Sequence, residues 1–323
     1  MCVHPFGAVS SKICVTFALH QTAKDNKETF GTEAMETLIS DFYVDDLLKS
    51  LDGEKLTINL IKNTDGMCGA GGFNLTKYMC VNQNVLKSIP LEKRAEGLKV
   101  AVEDLALLSQ MPAENALGVK WQVLKDSFAF HVNFLSDDGT RRGCLATISR
   151  VKDALGIVAP FLLKGRKILQ EMAASSVRWD QALPADKGKE WKEWKNDLLL
   201  LNDLVIRRCY RPSEFGEVVD ATLHCFSDAS FVGYGAVCYL RLVDENGRVQ
   251  VSLVMGKSRV SPLKPTTVPR LELTAVVLSV KLAALLSEEL RMSGLEVFYW
   301  VDNKIVLGYI LNKERRYRVY VAN

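Results

Sequence analysis

The chain has 323 residues, of which 48% are hydrophobic and 24% are charged, and its formal net charge is +3. This length favours two or three domains, and the composition excludes both an intrinsically disordered and a strongly polycationic chain. No apolar run reaches the roughly 20 residues that a membrane-spanning helix needs, so we expect no membrane segment. Any affinity for nucleic acid must therefore come from local basic surfaces.

The eight cysteines are scattered, form no Cys-x-x-Cys pair and are not preceded by a signal peptide. We therefore expect reduced thiols in an intracellular protein, cytoplasmic or nuclear and not secreted. The four histidines are too sparse to complete a cysteine-histidine zinc cluster.

In chain order, the first feature is an apolar segment at residues 6–11 that no predicted strand or helix precedes, and we interpret it as the truncated start of a longer chain. A helix with apolar positions at helical spacing is predicted from Glu33, and it runs into Phe42-Tyr43-Val44-Asp45-Asp46-Leu47-Leu48. Two adjacent acids interrupt this apolar, β-prone segment. The pattern predicts a strand-turn-strand hairpin with Asp45 and Asp46 at its tip.

The middle of the chain is predicted to be mainly helical. A glycine-rich break at residues 69–72 precedes small β elements between residues 117 and 135. Apolar residues then recur at helical spacing from Leu145 to Met172, and Pro160 divides this stretch into two helices. Trp191 and Trp194 lie at helix spacing, which is typical of packing residues.

The last third changes to a β pattern after a turn-rich boundary at residues 211–216. Strands are predicted at residues 222–227, 235–243 and 249–255, with a hairpin turn at Glu245-Asn246-Gly247 joining the last two. A long helix at about 268–291, a strand at 297–301 and a short helix at 305–311 follow.

Three acids occupy suggestive positions on these elements. Asp228 ends the first strand, Glu272 is placed in the first turn of the long helix, and Asp302 ends the following strand. Strand ends and the helix start can converge on one point of a mixed sheet, and converging carboxylates repel one another unless a divalent cation neutralises them. Singly, each acid has a simpler explanation: Glu272 complements the helix dipole, Asp228 caps a turn, and Asp302 caps a helix.

The segments around these acids carry a family resemblance. Phe226-Ser227-Asp228-Ala229-Ser230, Pro269-Arg270-Leu271-Glu272-Leu273 and Trp300-Val301-Asp302-Asn303-Lys304 resemble the RNase H domain of Pao/BEL-type long-terminal-repeat retrotransposons. The resemblance implies that Asp228, Glu272 and Asp302 are catalytic acids that bind Mg²⁺ or Mn²⁺. The family has a fourth acid on a later element, whereas Glu314 is the only acid after Asp302. Impaired cleavage is therefore expected.

The front of the chain resembles reverse transcriptases in the same motif order. Residues 6–11 resemble the template-side motif, Tyr43-Val44-Asp45-Asp46 the catalytic hairpin, and residues 71–75 and 117–118 the elements that close the palm and grip the primer. By this resemblance Asp45 and Asp46 are catalytic, metal-binding acids. A palm also needs an earlier aspartate, and only five residues precede Phe6. We therefore expect no nucleotide addition by this chain alone, unless remaining polyprotein domains supply the missing parts.

The middle segments resemble the same family, at residues 140–143 and 155–161 and at Trp179-Asp180. One departure is Ala154, which stands where the family more usually has proline. Short basic runs at residues 141–142, 164–167 and 315–318 could contact phosphates of a template-primer duplex, although solvated surface is the default for such runs.

Together these features predict an α/β (α+β) chain of three parts. They are a truncated reverse transcriptase palm and thumb at 1–125, a mainly helical connection at 126–215, and an RNase H-like mixed sheet with flanking helices at 216–323. The predicted function is that of a reverse transcriptase/RNase H fragment whose partner is an RNA–DNA hybrid or template-primer. The alternative is a catalytically inactive nucleic-acid-binding or interaction remnant of a transposable element. An aspartic peptidase is rejected, because no Asp-Thr-Gly or Asp-Ser-Gly occurs and Asp138-Gly139-Thr140 has the wrong order.

Overall fold

A computed structural model describes residues 10–43, 45–99, 114–116, 119–133, 139–212, 214–314, 316–317 and 319–322. Residues 6–9 of the predicted template-side motif, and Arg315 and Arg318 of the last basic run, lie outside this described part. The chain divides into two compact units, Met1–Leu117 with Trp121–Ser127, and Gly118–Lys120 with Phe128–Asn323.

The first unit is built mainly from helices. They are α1 (Ser11–Asp25), α2 (Lys27–Phe30), α3 (Thr32–Ser40), α4 (Glu54–Ala70), α5 (Gln83–Ser88) and α6 (Glu96–Lys99). Leu19, Leu38 and Met67, from α1, α3 and α4, meet in one buried cluster. This burial confirms the helix predicted from Glu33, whose apolar positions face the core.

The predicted hairpin after α3 is confirmed, except that Asp46 lies in its second strand rather than at its tip. Strands β1 (Phe42–Tyr43) and β2 (Asp46–Leu47) pair antiparallel, with Phe42 opposite Leu47 and Tyr43 opposite Asp46. The predicted glycine break begins two residues later than expected, because α4 continues through Gly69 and ends at Ala70. Gly72 then takes a φ of +78°, a conformation that glycine adopts without strain.

Short strands follow at β3 (Glu114–Ala116), β4 (Val119–Gln122) and β5 (Ser127–Ala129), with β6 (Val205–Arg207) later in the chain. β4 and β5 confirm the small β elements predicted between residues 117 and 135, whereas β3 and β6 were not predicted. In the described residues between β5 and β6, the α-helices are α7 (Arg141–Arg150), α8 (Ala159–Ala174) and α9 (Ala185–Leu199). Turns of 3-10 helix occupy Leu91–Lys93, Val123–Lys125 and Leu200–Asp203.

The two helices predicted between residues 145 and 172 are confirmed as α7 and α8. Pro160 lies in the first turn of α8, where backbone N–H groups have no acceptor within the helix. The missing N–H of proline therefore costs no helical hydrogen bond. Trp191 and Trp194 of α9 are buried with ring centroids 4.5 Å apart, and the indole N–H of Trp194 donates to the Phe161 carbonyl at 2.8 Å. Both tryptophans are packing residues, as their spacing predicted.

The second unit also contains a four-stranded mixed sheet. Its strands are β7 (Val218–Ala229), β8 (Gly233–Asp244), β9 (Val249–Val260) and β10 (Glu296–Trp300), in the order β10-β7-β8-β9. β10 runs parallel to β7, and the other neighbours are antiparallel. Further helices are α10 (Val268–Glu289), α11 (Lys304–Leu311) and α12 (Val319–Ala322). This arrangement confirms the predicted α/β class and mixed sheet.

Helix α10 packs on one face of the sheet. Leu223 of β7 and Leu240 of β8 meet Leu282 and Leu286 of α10 in a buried core. Gly247 turns the chain between β8 and β9 with a φ of +75°, as the Asn-Gly sequence predicted. Within the described residues, every helix is too short or too polar to cross a bilayer.

Strand β9 extends five residues beyond its predicted end at Met255. The added part pairs with β8 and also contacts Leu155, which precedes α8, and Ala159, the first residue of α8. The Gly256 N–H donates to the Leu155 carbonyl at 2.8 Å, and the Ser258 hydroxyl donates to the Ala159 carbonyl at 3.2 Å. These contacts lie inside the second compact unit, which includes residues on both sides of the predicted boundary at 215–216. The domain boundary at this position remains a prediction.

Candidate metal centre

The parallel pairing of β7 and β10 brings two aspartates level with each other. Phe226 of β7 lies opposite Trp300 of β10, and in each chain segment the aspartate follows two residues later. Because parallel strands run in one direction at the same rise per residue, Asp228 and Asp302 reach the same end of the sheet.

Helix α10 supplies the third acid to the same end. Its Leu271 and Ala275 pack against Ala229 of β7, with Tyr234 at the border of this small cluster. Glu272 follows Leu271 directly and therefore lies beside the end of β7. The predicted position of Glu272 in the first turn was wrong: the helix begins at Val268 and has no acid in its first turn. At 3.6 residues per turn Glu272 begins the second turn, which also removes its helix-dipole explanation.

The three carboxylates meet at one point. Each of Asp228, Glu272 and Asp302 offers an oxygen, and these oxygens lie within 4.8 Å of one another. Two oxygens that ligate one Mg²⁺ at about 2.1 Å can be up to about 4.2 Å apart, so small side-chain movements allow a shared ion. Asp228 and Asp302 are exposed, whereas Glu272 is 5% exposed.

The surroundings of Glu272 Oε2 indicate whether a cation fits the cluster. Glu272 Oε2 is buried and has no hydrogen-bond partner. A buried carboxylate oxygen without a partner is costly unless a cation or a proton satisfies it. The donors are all carboxylate oxygens, which are the ligands that Mg²⁺ and Mn²⁺ prefer. The residues therefore fit a divalent cation.

The pKa of Glu272 is raised above its usual value. Burial is the largest cause, and the negative charges of Asp228 and Asp302 add to it. The nearby backbone N–H of Ala229 and the Asn303 side chain lower the pKa of Glu272, in the opposite direction. The cluster is thus a site where negative charge is held at an energetic cost, which an added cation would relieve.

The simpler explanations of the two aspartates are not supported by their contacts. Asn303, rather than Asp302, caps α11, because its side chain accepts from the N–H groups of Ile305 and Val306. The turn after β7 is closed by Ser230, whose hydroxyl accepts from the Val232 N–H at 3.2 Å. Asp228 Oδ1 accepts from the N–H of the adjacent Ala229 at 2.7 Å. Sequence reasoning noted Asn303 but missed its capping role, which asparagine before an apolar helix would have signalled.

The other predicted pair of acids is placed differently. Asp45 lies in the turn between β1 and β2, Asp46 begins β2, and both are exposed. Among the residues that the structure describes, the group of carboxylates at Asp228, Glu272 and Asp302 is the only one of three or more potential metal ligands. The polymerase role of Asp45 and Asp46 therefore remains a prediction.

The basic runs are partly engaged in contacts within the protein. Arg142 forms an ion pair with Asp180 at 2.6 Å, and the Arg141 guanidinium lies 4.1 Å from the centre of the Trp179 ring. Lys164 lies 3.7 Å from Asp197. Contact of these residues with phosphates remains a prediction.

The chain is similar to a known protein family and to solved structures. Residues 140–303 match the model of the Pao retrotransposon-like RNaseH-like domain, and this range includes all three clustered acids. A foamy viral protease-reverse transcriptase, solved as a dRH form in complex with double-stranded DNA, is 13% identical with a TM-score of 0.47. The alignment covers 94% of this chain and 44% of that chain. No curated protein matches the chain. The family match spans half of the chain, so the protein belongs to the Pao retrotransposon-like RNase H-like family.

Proposed function

We propose that this protein cleaves the RNA strand of RNA–DNA hybrids with Mg²⁺ or Mn²⁺ held by Asp228, Glu272 and Asp302. The observation that carries the proposal is the convergence of these three carboxylates around the unpartnered Glu272 Oε2. Membership of an RNase H-like family supports the choice of a phosphodiester substrate.

The three acids differ in exposure, and we assign their roles accordingly. Glu272 is enclosed by packed residues of α10 and β7, so it supplies a fixed oxygen at the floor of the site. Asp228 and Asp302 are exposed, so they lie where a nucleic-acid backbone can approach. Bound divalent cations would activate a water molecule and stabilise the leaving oxygen of the phosphodiester. Without cations the acids repel a phosphate, and we therefore expect chelation to abolish both cleavage and close substrate approach.

A second candidate function is binding of the same nucleic acid without turnover. It is favoured by the size of the cluster, which contains three acids among the described residues rather than the four expected from the family resemblance. A cation could still bridge the protein to a phosphate in this case. Binding and cleavage must therefore be measured separately.

Replacing Asp228 with asparagine separates the two candidates. The variant keeps the shape of the side chain and removes one anionic ligand, so we expect cleavage of a labelled hybrid in Mg²⁺ to fall on the order of 100-fold or more. Asp220→Asn is the matched control, because Asp220 lies on the same strand and pairs with Arg241 at 3.0 Å, away from the cluster. The control is expected to cleave like the unchanged protein.

Hybrid affinity is measured in parallel by fluorescence anisotropy. Equal, background cleavage by the unchanged protein and Asp228→Asn, with binding retained, would reject the nuclease and support the second candidate. Loss of cleavage in Asp220→Asn as well would show that the effect is not specific to the cluster.

A further inference from the structure

Two buried cysteines face each other in the centre of the mixed sheet. Cys225 of β7 lies directly opposite Cys238 of β8 in the antiparallel pairing of these strands. Both are free thiols, and neither is exposed to solvent. The Cys238 thiol donates a hydrogen bond to the Cys225 sulfur, and the two sulfur atoms are 2.8 Å apart. The proposed metal centre uses neither side chain.

The backbone positions of this pair suit a disulfide. Opposite residues of antiparallel strands have Cα atoms about 4.5 or 5.5 Å apart, and both distances lie within the roughly 4.4–6.8 Å that disulfides span. A disulfide bond is about 2.05 Å long, so the sulfurs of Cys225 and Cys238 need to approach by only about 0.8 Å from their 2.8 Å separation. The β8–β9 pairing shifts register between Cys238 and Tyr239, and such an interruption of the ladder makes the strand locally easier to move.

The surroundings of the pair favour reaction of each thiol with the other. Cys225 and Cys238 belong to the core between the sheet and α10, and this buried cluster contains no further cysteine among the described residues. The buried cysteines Cys68 and Cys144 belong to other clusters. A disulfide with either of them would require unfolding, whereas a bond between Cys225 and Cys238 requires only a small movement. Because the thiols are buried, the oxidant must be a small molecule.

We propose that Cys225 and Cys238 form a site of oxidative modification, at which a small peroxide converts them to a disulfide that joins β7 to β8. This inference goes beyond the proposed nuclease and does not depend on it.

The reaction with hydrogen peroxide has two steps. The Cys225 thiolate attacks the peroxide, an S–O bond forms, the O–O bond breaks, and one oxygen leaves as water after taking a proton. The Cys238 sulfur then attacks the sulfur of the resulting Cys225 sulfenic acid, an S–S bond forms, and the S–O bond breaks to release a second water. The two thiols lose two electrons and two protons, and the peroxide is reduced to two waters.

The hydrogen bond between the thiols determines which one reacts first. It lowers the pKa of Cys225, and burial acts in the opposite direction. The thiolate is the form of cysteine that attacks an oxidant, so the acceptor Cys225 is the first nucleophile and the donor Cys238 closes the disulfide.

The experiment treats the folded full chain with hydrogen peroxide in the presence of a chelator, at a dose that oxidises the exposed thiol of Cys14 completely. Remaining thiols are labelled with a maleimide after denaturation, and the digested protein is examined by mass spectrometry. We expect Cys225 and Cys238 to lose their maleimide labels together and to appear in one linked peptide, two hydrogens lighter than the sum of the reduced peptides. Cys68, which is equally buried in another cluster, is the matched control and should keep its label.

Cys238→Val removes the second thiol and keeps an apolar side chain in the core. In this variant the sulfenic acid of Cys225 has no cysteine opposite it, so we expect dimedone to trap it there, whereas the unchanged protein should give little adduct at Cys225. Circular dichroism checks that the variant is folded.

Full maleimide labelling of Cys225 and Cys238 at this peroxide dose would overturn the inference. Disulfides of these residues with other cysteines in comparable yield, or equal loss of label at Cys68, would assign the oxidation to unfolded chains and would also overturn it. Each of these outcomes leaves the proposed metal centre untouched, because Mn²⁺ binding and hybrid cleavage are measured on the reduced protein.

Discussion

Glu272 is the one acid of the cluster that the protein withdraws from solvent, with 5% of its surface exposed. Burial and the neighbouring charges of Asp228 and Asp302 raise its pKa. The cation-free folded state therefore holds a proton on Glu272 more tightly than the unfolded chain does. Stability from this group is present below the unfolded pKa of about 4.3 and is lost as the pH rises through the raised folded pKa.

Replacing Glu272 with glutamine should consequently stabilise the protein when no divalent cation is present. We expect Glu272→Gln to melt a few degrees higher than the unchanged protein at neutral pH, and the difference to vanish near pH 4. Added Mg²⁺ should stabilise only the unchanged protein, because the variant lacks the buried anionic ligand. Thermal unfolding monitored by circular dichroism measures all three effects.

The matched control is Glu288→Gln, since Glu288 is exposed on the same helix. It should show neither the gain at neutral pH nor the loss of the Mg²⁺ response. A destabilised Glu272→Gln variant at neutral pH without cations would contradict the account of Glu272 as a charge held at a cost.

The sequence predicted which residues form the carboxylate cluster better than it predicted the contacts and burial of each one. The order and elements of Asp228, Glu272 and Asp302 could be recognised, because strand ends and a helix start converge in a mixed sheet. The turn of α10 that holds Glu272, and the burial of its side chain, depend on packing across the sheet. Contacts between residues far apart in the chain leave no local pattern to read.

At the scale of elements, the turn before α8 docks on the edge strand β9. Gly156 has a φ of +70°, and a Cβ at this position would lie 1.8 Å from the Gly256 carbonyl oxygen. The close approach allows the Gly256 N–H to donate to the Leu155 carbonyl. Covering part of β9 in this way also protects a sheet edge that would otherwise be open to pairing with other chains.

Substituting Gly156 with alanine should therefore cost more than conformational strain alone. We expect Gly156→Ala to lower the free energy of unfolding by about 3–5 kcal/mol, which combines a left-handed alanine with an overpacked contact. Gly247→Ala is the control, because Gly247 has a φ of +75° with no atom within 4 Å of the added Cβ. It should cost only about 1–2 kcal/mol. Chemical denaturation of both variants tests this, and equal losses would contradict the docking.

Element types were more predictable than element ends. Alternation along β8 and the repeated apolar positions of α10 are local patterns, and both elements were found. β9 continues to Val260 because it pairs with β8 and contacts the start of α8 and the residues before it. The sequence of residues 256–260 does not itself predict this extension. The β1–β2 hairpin could be predicted from two acids in a β-prone run, whereas the function of those acids could not.

On the scale of the whole molecule, the predicted connection and RNase H-like regions lie in one compact unit. The Gly256–Leu155 and Ser258–Ala159 hydrogen bonds join them, and Gln170 adds a hydrogen bond from its side chain to the Ser261 carbonyl at 2.8 Å. The match to the family model also continues through residues 140–303 without a break at residue 215. We therefore infer that the two regions fold together.

Two fragments test this inference. Residues 128–323 should fold cooperatively on their own and bind Mn²⁺ with the affinity of the full chain. Residues 216–323 should unfold at lower temperature or fail to fold, because they lose the contacts of β9 with the segment before α8. Circular dichroism and Mn²⁺ titration of both fragments provide the measurement. A shorter fragment as stable as the longer one would contradict this inference and support the predicted boundary at residue 215.

The central claim is that Asp228, Glu272 and Asp302 share a divalent cation, and anomalous diffraction from a crystal containing Mn²⁺ tests it most directly. The account predicts an anomalous peak about 2.0–2.6 Å from Glu272 Oε2, with oxygens of Asp228 and Asp302 completing the protein ligands. A crystal that shows Mn²⁺ only elsewhere, or a cluster with no peak at saturating Mn²⁺, would contradict the metal centre.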